Sequence, residues 1–198
     1  MRTQNHFNRR GIDLDTPSHW VIDRVDYPML FFKHLSKLLP PGSILYFEGA
    51  KIAPAAAKLY EEHRATNAMV VVQEMVAPIP QMYHCTVSDE LLKSLAELAV
   101  GRPAADLFNH LKAYREGRLL FLWNDAYDGE LRISEHMPEN LRERFCQALG
   151  ITCRREKTRA PEPEALERVS LVSGSGEDEE EIPRDAWYQK AWTWLTRE

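Results

Sequence analysis

The chain predicts an α+β fold: a mixed, largely antiparallel sheet with helices packed on it, followed by a C-terminal tail helix. Three observations carry that expectation. His110 to Tyr114 and Arg118 to Trp123 flank Glu116-Gly117, the signature of a β-hairpin. Helical periodicity sits in separate blocks closed by Pro or Gly, as at Pro40-Pro41-Gly42 and Gly150. From Ser43 onward the elements run β-α-β-β-α-α-β-β-β-α-β, and hairpins with segregated helices indicate an α+β sandwich rather than a doubly wound sheet.

Each element has a local cause. Tyr27, Phe31, Leu35 and Leu38 share one face of a first helix, with Asp26 as its expected N-cap and Pro28 in its first turn. Ser43-Ile-Leu-Tyr-Phe-Glu48 is an apolar run of strand formers, broken at Gly49, and Pro54 to His63 reads as a helix. Met69-Val-Val-Val-Gln-Glu74 predicts a second strand and Gln81 to Val87 a third, with Pro78 and Pro80 in the connection. Ser88 can cap the next helix, where Asp89 and Glu90 suit the positive end and Leu91, Leu92, Leu95, Leu98 and Ala99 form the buried stripe. A short helix follows Pro103. In the hairpin, Leu119 to Leu122 have the uninterrupted apolar character of a strand covered on both faces. Glu130 to Ser134 alternates like a half-exposed strand, and Pro138 opens a helix with Leu141, Phe145, Ala148 and Leu149 on one face. Ile151-Thr-Cys153 is the expected last edge strand.

The predicted organisation is an N-terminal extension over 1–25, an α+β domain over 26–153, a charged and acidic linker over 154–184, and a Trp-rich helix over 185–198. At 198 residues and 44% apolar composition there is room for one well-formed core plus extensions. The formal charge of −5 is uneven: residues 174–198 hold seven acids and three bases, leaving 23 acids and 22 bases in 1–173. A nearly neutral main domain argues against a nucleic-acid partner. No stretch approaches the roughly 18 apolar residues of a membrane span, so no membrane partner is expected. The first ten residues hold no apolar segment of the secretory kind, and the three cysteines (Cys85, Cys146, Cys153) sit in apolar neighbourhoods. Reduced thiols in a cytoplasmic protein are expected.

Motifs for familiar chemistries are missing from the sequence. There is no G-x-S-x-G elbow, no H-E-x-x-H helix, no P-loop and no C-x-x-C pair. Gly49-Ala-Lys51 lacks the glycines of a phosphate cradle, and Asp125, Asp128 and Glu130 lie too close together for an EF-hand. Neither a metal nor a cofactor is expected. Glu48, His84, His110 and Asp125 are the candidate catalytic residues. All fall at strand ends or loop edges, where a His and two carboxylates could share a proton. Each more simply satisfies a nearby turn or strand terminus.

The tail is the more suggestive feature. Three of the five tryptophans lie in the last twelve residues. In a helix over 185–197, Trp187, Ala191, Trp194 and Leu195 fall on one side, and Tyr188 and Trp192 widen it. Trp187, Tyr188, Trp192 and Trp194 are therefore the expected partner-binding residues, anchoring either on the protein's own domain or on another protein.

Leu39-Pro-Pro-Gly-Ser43, Glu48-Gly49, His84, His110-Leu111, Trp123-Asn-Asp-Ala126 and Ile133-Ser134 resemble a group of uncharacterised small bacterial proteins. The resemblance spans roughly residues 38–150. It implies a stand-alone α+β bacterial protein and marks Glu48, His84, His110 and Asp125 for testing, without supplying a mechanism. The expected function is a protein-interaction or binding module of the immunity or adaptor type. The alternative is a small hydrolase-like enzyme using the Glu/His/His/Asp set for acid–base catalysis.

Overall fold

A computed structural model describes residues 11–14, 16–22, 24–25, 27–126 and 129–157. In chain order it contains β1 (Ser18–Ile22), α1 (Pro28–Leu35), β2 (Ile44–Gly49), α2 (Pro54–Glu62), β3 (Gln81–Thr86) and α3 (Asp89–Leu98). A 3-10 turn (Ala104–Asp106) then leads into β4 (His110–Arg115), β5 (Arg118–Trp123), β6 (Leu131–Ser134), α4 (Glu139–Leu149) and β7 (Arg154–Lys157). The strands form a seven-stranded sheet in the order β3-β2-β4-β5-β6-β1-β7. Every pairing between named strands is antiparallel. With helices packed on the sheet, this is the α+β class that the sequence predicts.

Alternation along the strands sorts side chains onto two faces. Leu45, Phe47, Leu111, Ala113, Phe121, Trp123 and Ile133 point to the helices and form the main core with α1, α3 and α4. Phe31 of α1 is its hub. Its ring meets Phe32, Phe121 and Phe145 edge-on at 5.2, 6.0 and 5.7 Å and Trp123 at 4.7 Å, within the range favoured by aromatic quadrupoles. A smaller cluster of Ile44, Tyr46, Ala65, Val71, Tyr114, Leu119 and Leu122 closes part of the opposite face. A register shift between Ala113 and Tyr114 lets Leu120 and Phe121 both reach the main core. The β4–β5 turn places Glu116 at φ 51° and Gly117 at φ 77°, as a two-residue hairpin requires. Ser88 caps α3 by accepting from the Leu91 N–H at 3.1 Å.

The structure corrects four details. Residues 69–74 are not a strand: apart from an isolated parallel bridge from Val71 to Ile12, their backbone groups are used by side chains described below. Ser18–Ile22, assigned by sequence to an extension, is instead an interior strand between β6 and β7. Its five residues include two polar ones in a polar stretch, too little pattern to stand out. The last strand is Arg154–Lys157 rather than 151–153. Its charged composition resembles a linker yet suits a sheet edge, where charge discourages further pairing. At α1 the N-cap position is Tyr27, without a side-chain cap bond. The remainder of the expected linker, and the Trp-rich helix with Trp187, Tyr188, Trp192 and Trp194, lie outside the described residues.

Phe121 is fully buried against Phe31 in a central strand. Phe121→Ala should cost about 3–5 kcal/mol through lost transfer energy and a residual cavity. Urea unfolding of the two proteins measures it, and a loss near zero would remove β5 from the core.

Candidate interaction surface

The face of the sheet away from the helices carries charge in its interior. Glu48 near the end of β2 and Lys112 in the middle of β4 are both fully buried. Burying an ionised group is tolerable only when bonds replace its lost hydration. Residues 69–75 provide those bonds as an extended strap laid over β2 and β4. The Glu48 carboxylate accepts from the Glu74 N–H at 3.1 Å, from the Met75 N–H, and from the Tyr46 hydroxyl at 3.0 Å. Lys112 Nζ donates to the Val72 carbonyl and to Glu74 Oε1, both at 2.6 Å. Burial, and then the Glu48 carboxylate beside it, push the Tyr46 hydroxyl far above its ordinary pKa, so it remains a donor.

His84 lies on the same face, facing Tyr46 across the β2–β3 pair. Its Nδ1 is 3.1 Å from the Tyr114 hydroxyl, which also accepts from the Met69 N–H at 3.0 Å. Burial, then the nearby Arg64 guanidinium, hold the His84 pKa below its ordinary value. A neutral ring accepting from Tyr114 fits both facts. His110 faces Glu48 from the opposite flank of β2. Its Nδ1 lies 3.2 Å from Asn124 Oδ1 and 3.4 Å from the Asp125 amide nitrogen, so it donates to the first or accepts from the second. Asp125 is exposed at φ 47°, and its carbonyl accepts from the Gly129 N–H at 2.7 Å in a tight turn.

Of the four sequence candidates, His110 and Asp125 meet through the Asp125 N–H, while Glu48, His84 and His110 lie on one face of the sheet. Tyr46 and Glu48 stand between the two histidines, each histidine has its own partners, and the Glu48 oxygens are occupied by the strap. Among the described residues, no hydrogen bond joins Glu48 to His84 or to His110. Among the described residues, no group of three or more His, Cys, Asp and Glu is placed to hold a metal ion.

The most distinctive surface lies just past the strap. Met75 is bonded to Glu48, and Met82 is the strand partner of Glu48, so residues 76–81 leave and return beside one buried carboxylate. Within this loop, Val76-Ala-Pro-Ile-Pro80, Val76 is 76% and Ile79 89% exposed, and Met82 is half exposed beside them. Sequence reasoning placed the two prolines in a connection but missed the loop as a surface. Apolar residues between prolines would have been the signal. It missed Lys112 as well, a lone charge within the otherwise apolar Leu111-Lys-Ala-Tyr114.

Comparison with protein-family models, with curated proteins and with solved structures returns no match. Among the described residues, no helix is long and apolar enough to cross a membrane.

Glu48→Ala should orphan two strap amides and the Tyr46 hydroxyl, a loss of about 2–4 kcal/mol. Hydrogen exchange should show the Glu74 and Met75 amides losing protection while α1 and α3 keep theirs. Unchanged protection at 74 and 75 would contradict the anchoring role. His84 should titrate below 6.5 by NMR. Because the unfolded imidazole takes its proton at higher pH than the folded one, the His84 contribution to stability is complete above 6.5 and is lost as pH falls through the folded value. His84→Gln should flatten that decline.

Proposed function

We propose that this protein is a protein-interaction module, of the adaptor or immunity kind, that engages its partner with the apolar tip of loop 76–80. The observation that carries this reading is the exposure of Val76 and Ile79 on a loop fastened at both ends beside Glu48. Large apolar side chains presented to solvent on one surface mark interaction sites more often than scattered single ones do. Two prolines in five residues restrict the loop before it binds, which lowers the ordering cost of association.

The nearly neutral domain favours a partner with an apolar pocket over a strongly charged one. Trp187, Tyr188, Trp192 and Trp194 are a second contact in this proposal, on the strength of their helical spacing. Three free thiols suit a reducing compartment, and the cytoplasm is where we place the protein.

A photo-reactive phenylalanine analogue at position 79 tests the proposal in living cells of the source organism. The same analogue at Lys58, an exposed position on α2, is the control. Position 79 should give a discrete adduct with one protein and position 58 should not. Identical adducts from both positions, or none from 79, would overturn the loop as the contact. Survival of the adduct in a full-length Trp187→Ala, Trp194→Ala chain would assign the contact to the loop rather than the tail.

A further inference from the structure

The described sheet ends in β3 on one side and β7 on the other, and the two edges differ in kind. All four residues of β7 are charged, which discourages another chain from pairing there. β3 carries no Lys, Arg, Asp or Glu, and Gln81 and Met82 at its start are exposed. Its outward backbone groups are only partly used. In an antiparallel ladder these groups point alternately to the two sides of a strand. Tyr83 and Cys85, opposite Phe47 and Leu45, turn theirs toward β2. The residues between and beyond them face outward. The Ala65 N–H donates to the His84 carbonyl at 2.8 Å, and the Thr86 N–H donates to the His63 carbonyl at 2.9 Å. Residues 63–65 thus begin a further strand, and then the chain leaves the edge. Thr66 and Asn67 turn away, and the Met69 N–H donates to the Tyr114 hydroxyl of β4. Among the described residues, the outward N–H and carbonyl of Met82 and the N–H of His84 are left without a hydrogen-bond partner.

We propose that an extended, uncharged segment of another protein, apolar at alternate positions, adds to this edge as a further strand beside Met82. The inference rests on the reading of the protein as an interaction module, and it names the form in which the partner binds. Unpaired groups in the spacing of a ladder require backbone N–H and carbonyl groups in return. An extended chain offers these, whereas a helix has already spent its own. Side chains of an added strand stand beside those of β3 on alternate faces, so every second one lies next to Met82 or its neighbours on that face. Met82 is 49% exposed, and the loop that presents Val76 and Ile79 runs directly into Gln81. An apolar residue gains area there, and a charged one meets no opposite charge on β3. The ladder bonds hold the segment, and the apolar contacts select it.

The probe is a phage-displayed library of random dodecapeptides selected on the full-length protein, with the enriched sequence resynthesised as a free peptide. Hydrogen exchange read residue by residue by NMR follows its binding. Saturating peptide should slow the Met82 and His84 amides by about tenfold or more, while Tyr83 and Cys85, already bonded to β2, hold their rates. Methylating the peptide nitrogen that meets the Met82 carbonyl should weaken binding about tenfold, and methylating either neighbour should do far less. A peptide that shifts Val76 and Ile79 but leaves Met82 exchange unchanged would overturn the added strand while the loop contact stands. Failure of the selection to enrich any binder would overturn it as well. Slowing of the Met82 amide with protein concentration alone would assign the edge to a second copy of this chain and overturn the partner segment.

Discussion

Glu48 and Lys112 sit in the interior of a sheet face that none of the helices among the described residues covers, and the way their charges are satisfied sets the form of everything around them. Neither can be buried without replacement for water, and neither lies within reach of enough side chains to do it alone. The backbone of residues 72–75 provides most of the missing partners. Residues 69–75, committed in this way, cannot also pair regularly as a strand, despite the β-propensity of Val70, Val71 and Val72. The same commitment holds the neighbouring prolyl loop in place.

The two faces of the sheet are thus closed by different physics. On the helix side, apolar area and aromatic geometry around Phe31 do the work, and the contacts are redundant. On the strap side a few charge-assisted hydrogen bonds do it, and each has a specific partner. Stability there is concentrated in a handful of atoms, whereas in the helix-side core it is spread over many.

Elements set by local rules were legible in the sequence. The β4–β5 hairpin announced itself through Glu116-Gly117, α3 through Ser88, and the end of α4 through Gly150, because turn and cap chemistry act within a few residues. What escaped was decided at long range. Met69 to Glu74 has the composition of a strand, and only the placement of two distant charges turns it into a strap. Ser18–Ile22 becomes a strand because β6 and β7 each offer it a ladder. Among the candidate site residues, sequence position named Glu48, His84 and His110 without assigning them a face. It could not show that Tyr46 and Glu48 itself would separate the histidines, because that depends on register.

The position of β1 between β6 and β7 has a consequence for how the chain is made. Its partners are Leu131–Ser134 and Arg154–Lys157, over a hundred residues downstream. During synthesis Ser18–Ile22 leaves the ribosome early and waits unpaired until nearly the whole sheet has been translated. Loop closure over that span is slow compared with forming the β4–β5 hairpin, whose strands are joined by two residues. Of the strands among the described residues, the earliest made is therefore among the last to be placed. Until then the edge of β6, with its apolar Leu131 and Ile133, lacks the neighbour it has in the folded sheet and is open to pairing with another chain.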